Sequence, residues 1–168
     1  MTSDLADLAL ADKTHLWHPF TPMQPWCADD HEPLILVSGK GCMLRDQHGR
    51  EYIDGNSSIW TNIHGHAHPT INAAIREQLD LVAHTSFLGF TNAPATQLAQ
   101  ELVALFPGDK LSRVFFSDDG STAIEVAVRM ALQFWQQSDQ PQRNVIVAFD
   151  RAYHGDTLGA ASLGGIPL

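Results

Sequence analysis

The apolar positions of this chain follow two rhythms, and the change from one to the other divides it. Between residues 33 and 54 the text PLILVSGKGCMLRDQHGREYID holds three short strand-like runs. Gly39-Lys40-Gly41 and Asp46-Gln47-His48-Gly49 separate them, and both are hairpin signals. The pattern predicts a small antiparallel meander. Farther on, the spacing lengthens to that of helices. Ile71, Ala74, Ile75, Leu79 and Val82 recur after an opening Pro69, and Ala95, Leu98, Ala99, Leu102 and Phe106 recur after Asn92 and Pro94. Each of these helices is expected to bury one face. A third helix is predicted from about Ser121 to Trp135, with Ile124, Val128, Ala131, Leu132 and Trp135 inward. On it Glu125 stands four residues before Arg129, the spacing of a surface ion pair.

Two apolar runs flank that third helix. Arg113-Val114-Phe115-Phe116 reads as a buried strand, and Val145-Ile146-Val147-Ala148-Phe149 as a strand covered on both faces. Strand, helix and strand form one βαβ unit, whose right-handed crossover places both following turns at one carboxyl edge of a sheet. The first thirty residues are rich in Pro and Trp (Trp17, Pro19, Pro22, Pro25, Trp26) and periodic only over Leu5 to Leu10. They read as an arm that packs on something larger. Beyond Ser162-Leu163-Gly164-Gly165-Ile166-Pro167-Leu168 there is no helix, closing strand or charged tail. The expectation is the front part of a longer polypeptide, marginally stable alone because its apolar strands would lack neighbours.

Composition narrows the function classes. A chain of 168 residues, 44% hydrophobic, is long enough to bury a core. Ten basic against 19 acidic residues give a net charge of -9 without a Lys/Arg cluster, which argues against a nucleic-acid partner. No apolar run approaches the roughly 20 residues of a membrane span. Cys27 and Cys42 form no CxxC pair, and the start MTSDLADLALADK lacks a basic region followed by an apolar one. A cytoplasmic protein without a disulfide framework is expected.

Candidate chemistry lies in the two turns after the apolar runs. Ser117-Asp118-Asp119-Gly120-Ser121-Thr122 leads straight into the third helix. A helix start carries unpaired N–H groups and partial positive charge, so Gly120, which lets the backbone come close, and the hydroxyl of Ser121 suit a phosphate dianion. Against this, the plainer and, for an isolated D-G-S-T, the favoured reading is Ser121 as an ordinary N-cap and Gly120 as a tight turn, and Asp118 and Asp119 would repel an anion. The second turn, Tyr153-His154-Gly155-Asp156-Thr157, offers a ring that can stack on a flat cofactor and a carboxylate that can orient a polar group. Its plainer reading is a Tyr on the sheet edge and an Asp capping the next helix. His64, His66 and His68 invite a metal reading, but Gly65 and Pro69 break the stretch and no second ligand cluster accompanies it. Trp17, Phe20, Trp26 and Trp60 could line an organic pocket or anchor the arm.

Several blocks taken together carry a resemblance: His15-Leu16-Trp17-His18-Pro19-Phe20-Thr21, Tyr52-Ile53-Asp54-Gly55, Ser57-Ser58-Ile59-Trp60, His64-Gly65-His66, FFSDDGSTAIEVAVRMALQFW and YHGDT. In this order they resemble the amino-terminal portion of a class III aminotransferase of fold type I. The first and third blocks are closest to the branch that aminates 8-amino-7-oxononanoate in biotin synthesis. The resemblance implies an α/β fold with a small antiparallel β meander followed by the start of a large α/β/α domain. Residues 1–60 would form the arm and antiparallel segment, and 61–168 the incomplete start of the cofactor-binding domain. It implies pyridoxal 5'-phosphate, with Gly120 and Ser121 on the phosphate and Tyr153 on the ring. Phe20, Ile59, Trp60, Tyr153 and Asp156 would face the substrates, a keto-amino acid acceptor and an amino donor, S-adenosylmethionine or lysine. It also implies a homodimer.

Two positions depart from the family pattern. A Tyr commonly matches Phe20 and a Trp commonly matches Ile59, which keeps open a class III enzyme acting on ω-amino acids. A metal-binding or structural domain built on the histidines is the remoter alternative. A transaminase also needs a lysine for the Schiff base. Lys13, Lys40 and Lys110 are the lysines here, and none follows the ring-holding turns. The isolated chain is therefore expected to be inactive.

Overall fold

The computed structural model describes residues 5–108 and 110–164. Contacts divide the chain into two compact units, Met1–Thr85 and Ser86–Leu168. The final residues 165–168, on which part of the expectation about the chain's end rests, lie outside the described residues.

In the first unit the leading segment is more ordered than its composition suggests. Helix α1 (Leu5–His15) and the short α2 (Met23–Trp26) are tied together by one carboxylate. Asp12 accepts the indole N–H of Trp26 at 2.8 Å and lies 3.0 Å from His18 Nε2. The rings of His18 and His31 flank that indole at 4.4 and 4.7 Å. Lys13 Nζ donates to the Ala28 carbonyl at 2.6 Å. The expected arm thus folds on itself around Trp26, because a half-buried indole N–H is best satisfied by a protein acceptor and Asp12 supplies one.

The meander follows as expected. Strands β1 (Leu36–Lys40), β2 (Met43–Asp46) and β3 (Glu51–Ile53) pair antiparallel in the order β1-β2-β3. Gly49, at φ +79°, takes the left-handed position of the second hairpin that a side chain would disfavour. Asp46, only 1% exposed, organises that turn. Its carboxylate accepts the backbone N–H of His48 and of Arg50, each at 2.9 Å, Arg50 Nε–H at 2.6 Å and the Tyr52 hydroxyl at 2.9 Å. Burial, the largest single influence, opposes ionisation, yet the hydrogen bonds together outweigh it and bring the pKa down to about 2.

A left-handed helical turn, α3 (Ser57–Trp60), and α4 (Pro69–Leu81) complete this unit. Pro69 sits in the first turn of α4, and His68 is its N-cap, with Nδ1 accepting from the Ile71 amide at 3.4 Å. The apolar stripe of α4 is not buried within the unit: Ile71, Ile75 and Leu79 are exposed. Periodicity marks which face of a helix is apolar, whereas burial also requires a second layer, and the described residues supply none over this stripe.

The second unit holds α5 (Ala93–Ala104), α6 (Gly120–Gln137) and α7 (Leu158–Leu163). Asn92 caps α5 by accepting the Ala95 amide at 3.1 Å. Ala95, Ala99 and Leu102 are half-buried, Leu98 is exposed, and Phe106 lies beyond the helix end. The α5 face borders a groove of about 730 Å³ whose walls include Phe87, Ala99, Val103, Val114 and Phe116. On α6, Ile124, Val128, Leu132 and Trp135 are half-buried, while Ala131 is exposed.

The two runs expected as strands, Arg113–Phe116 and Val145–Phe149, join no ladder among the described residues. Val147 is 92% exposed and Phe115 64%. A parallel strand exists only by hydrogen bonding to a neighbour, and an apolar sequence does not supply that neighbour. The βαβ unit is present as run, helix and run, without its sheet pairing.

Candidate functional site

The start of α6 is set by Asp119, not by Ser121. Asp119 Oδ1 accepts the Thr122 amide at 2.8 Å, and the Asp119 amide donates to Thr122 Oγ1 at 3.0 Å, a reciprocal capping box. Ser121 is therefore the second residue inside the helix, and the reading of it as an N-cap is corrected. The consequence is chemical. The amides of Gly120 and Ser121 stand in the first turn, where no intrahelical acceptor exists, and no other acceptor meets them among the described residues. They are two donors at the positive end of an 18-residue helix.

The second turn comes to the same place. Ser121 Oγ accepts the Asp156 amide at 2.9 Å, which leaves the hydroxyl hydrogen free to donate. This approach requires Gly155. A Cβ there would overlap Ser121 Oγ and come within 2.7 Å of the Ser121 Cα, and Gly155 has φ +136° besides. The Tyr153 hydroxyl donates to Asp156 Oδ2 at 2.8 Å. That bond raises the Tyr153 pKa above its ordinary 10.0, with burial adding to the effect. Tyr153 remains 62% exposed, so its ring is available for stacking.

Asp156 does not cap the following helix. Thr157 occupies the N-cap of α7, without a side-chain capping bond, and the acceptor comes from α6. Glu125 Oε1 receives Thr157 Oγ1–H at 2.7 Å, the Gly159 amide at 2.9 Å and the Ala160 amide at 3.2 Å. This corrects the expectation of a Glu125–Arg129 surface pair. Three donors pointing at one carboxylate outweigh a screened contact between exposed charges. Helical spacing alone identified the i,i+4 neighbour and carried no sign of a partner more than thirty residues on.

The remaining site candidates belong to the first unit. Phe20 is 98% exposed and has φ 52°. Ile59 and Trp60, 65% and 75% exposed, ride on the left-handed turn α3, in which Ser57, Ser58, Ile59 and Trp60 all have φ between 51° and 69°. Non-glycine residues resist this conformation, so something must hold it. Asp54 does. Its Oδ1 accepts the Ser58 amide at 2.8 Å, and its Oδ2 accepts Ser58 Oγ–H at 2.8 Å and lies 2.9 Å from His66 Nε2. The backbone bond from Ser58, then its hydroxyl, hold the Asp54 carboxyl below its ordinary range.

The histidines are accounted for differently from a metal set. His66 bonds Asp54 and, through Nδ1, Asn62 at 2.8 Å, while His68 caps α4. No group of three or more potential ligands gathers among the described residues. Cys27 and Cys42 are free and exposed. Lys13 is committed to the Ala28 carbonyl, Lys40 pairs with Met43 in the meander and Lys110 lies in a turn. No described helix is long and apolar enough to cross a membrane.

A helix N-terminus with two unbonded amides is met by a Tyr-bearing turn after a second apolar run, which brings free donors and an exposed ring to one place. Comparison with known proteins then gives the family. Residues 27–166 match the family model Aminotransferase class-III, and the chain belongs to that family. The adenosylmethionine-8-amino-7-oxononanoate aminotransferase of Synechococcus elongatus is 55% identical over 150 residues, covering 89% of this chain and 34% of that protein. The enzyme of the same name from Geobacter sulfurreducens is 47% identical over 157 residues, covering 94% and 34%. Among solved structures, that of the same-named enzyme from Methanocaldococcus jannaschii superposes with a TM-score of 0.90 at 39% identity, over 96% of this chain and 36% of that one. An (S)-enantioselective omega-transaminase from Thermomicrobium roseum gives 0.90 at 34% identity, over 99% and 37%. The chain therefore spans about a third of the length of the relatives it matches.

Proposed function

We propose that this chain is the amino-terminal portion of a pyridoxal-phosphate aminotransferase that transfers an amino group to 8-amino-7-oxononanoate in biotin synthesis. The observation that carries the reading is the meeting of Ser121 with the Tyr153–Asp156 turn at the open start of α6. The residues present fit the cofactor. Two unbonded amides and a hydroxyl with a hydrogen to donate stand in the first turn of α6, and Gly155 keeps the two turns close. When bound, the cofactor supplies an electron sink for the exchange of an amino group.

In this reading Gly120 and Ser121 hold the phosphate and Tyr153 covers the ring. Asp156 fixes the phenol and offers its carboxylate to the amine-bearing substrate. Phe20, Ile59 and Trp60 form part of the substrate wall, with S-adenosylmethionine or lysine as donor. Residues 1–60 serve as arm and antiparallel segment, and 61–168 open the large domain of a cytoplasmic homodimer. The Schiff-base lysine comes from outside this chain. The names and identities of the relatives support the acceptor; the exposed Ile59 and the similarity to an omega-transaminase favour the second reading, an ω-amino-acid aminotransferase.

The test uses the full-length polypeptide that carries this segment. Diaminononanoate formed from 8-amino-7-oxononanoate with S-adenosylmethionine or lysine is the expected result. Turnover only with ω-amino acids would favour the second reading, and no amino transfer with either would overturn both.

A further inference from the structure

We propose that Glu125 is a positioning residue that sets the distance between the phosphate side and the ring side of the cofactor seat. The inference rests on the reading above. Glu125 touches neither side itself. It stands one helical turn beyond Ser121, so the two side chains share a face of α6. Along that face they receive the whole descending segment: Ser121 takes the Asp156 amide at 2.9 Å, and Glu125 takes the Thr157 hydroxyl at 2.7 Å and the Gly159 and Ala160 amides at 2.9 and 3.2 Å.

The two amides are among the unpaired donors that every helix start leaves, and in α7 no local side chain satisfies them. A carboxylate from a different helix does so instead, where the partial positive charge of a helix start also favours it. The fit is close. A Cβ on Gly159 would overlap the Glu125 carboxylate, and Ala160 is fully buried at the same contact. Since Asp156 fixes Tyr153 and Thr157 adjoins Asp156, a shift of the Glu125 anchor moves the phenol relative to Gly120 and Ser121. Glu125 thereby couples two segments that only one other side-chain bond, from Ser121, holds together among the described residues.

The test compares wild type, Glu125→Ala and Glu125→Gln in the full-length enzyme by three measurements: hydrogen exchange at Gly159 and Ala160 without cofactor, pyridoxal-phosphate dissociation, and visible circular dichroism of the bound cofactor. The alanine variant is expected to exchange faster at both amides, to bind cofactor roughly tenfold more weakly and to show an altered dichroic band. Glutamine, which keeps an acceptor oxygen, should recover part of each and guards against simple misfolding of the alanine variant. Faster exchange with unchanged affinity and band would overturn the proposal, because Glu125 would then support only α7. If wild type takes up no cofactor, the functional reading fails and this inference with it, an outcome separated from the former by the wild-type measurement alone.

Discussion

Ser121 Oγ accepts the amide hydrogen of Asp156 at 2.9 Å, joining two turns thirty-five residues apart in the chain. A hydroxyl used in this way has one hydrogen left to donate, and the amides of Gly120 and Ser121 in the same helical turn are also unbonded donors. The same atom thus closes the fold of the second unit and completes a set of three donors. Removing it should affect both roles.

In the full-length protein, Ser121→Ala is expected to raise the cofactor dissociation constant about tenfold or more, since a hydrogen bond to a charged group contributes roughly 1.5–3 kcal/mol. Equilibrium dialysis against pyridoxal phosphate measures it. An unchanged constant would remove the hydroxyl from the seat.

Gly155→Ala should be more damaging than most glycine substitutions. The new methyl would lie within 2.7 Å of the Ser121 Cα, and the backbone at φ +136° is unfavourable for any L side chain. A loss of stability of about 1–3 kcal/mol follows, read from denaturant midpoints. A midpoint shift below about 0.5 kcal/mol would mean that the two turns separate easily.

How much of this could be read from the residues differs from place to place. The meander and the three longer helices were legible because hairpin glycines, capping residues and periodicity are local signals. The family was legible through the order of motifs, and the approach of the second turn to Ser121 through the run-helix-run pattern. Glu125 was not. Its partners Thr157, Gly159 and Ala160 are distant in sequence, and the only trace in the text is the pair of glycines at 155 and 159, which mark close approaches without naming what approaches. The N-cap of α6 was misplaced by two residues because Asp119 and Ser121 are both good caps and only geometry decides between them. Burial of the α4 stripe was overstated because amphipathicity records a preference, not a neighbour.

The Tyr153 phenol should titrate above its ordinary 10.0 in the folded protein, and Asp156→Asn should bring it back toward that value. The charged acceptor stabilises the protonated phenol, so stability from this bond is full below pH 10.0 and falls as pH rises through the native value. Ultraviolet difference titration follows the phenolate. Identical curves for the two proteins would show that the Tyr153–Asp156 bond does not persist in solution.

The left-handed turn carrying Ile59 and Trp60 should collapse when its clamp is cut. Asp54→Ala removes the acceptor for the Ser58 amide, the Ser58 hydroxyl and His66 at once. Four residues with positive φ, unfavourable by roughly 1–2 kcal/mol each, then keep only the Asn56 side-chain bond to the Ile59 amide and the backbone bonds Trp60–Asn56 and Asn62–Ser57. Scalar couplings of residues 57–60 should move toward ordinary negative φ, and the Michaelis constant for the acceptor should rise more than the turnover number falls. Couplings that stay at their original values would place the constraint elsewhere.

Acid stability of the meander turns on Asp46. Its native pKa of about 2 lies below the ordinary 3.8, so between these values the unfolded chain binds more protons than the folded one. The contribution of the Asp46 hub is therefore complete above pH 3.8 and is lost as pH falls through about 2. Asp46→Asn replaces one acceptor oxygen by a donor that faces Arg50 and Tyr52, and should abolish this part of the acid dependence while destabilising the hairpin at neutral pH. Carboxyl carbon shifts followed by nuclear magnetic resonance give the midpoint directly. A midpoint at 3.8 would show that the four hydrogen bonds merely balance the cost of burial, and the hairpin would then owe its register to Gly49 and the ladder alone.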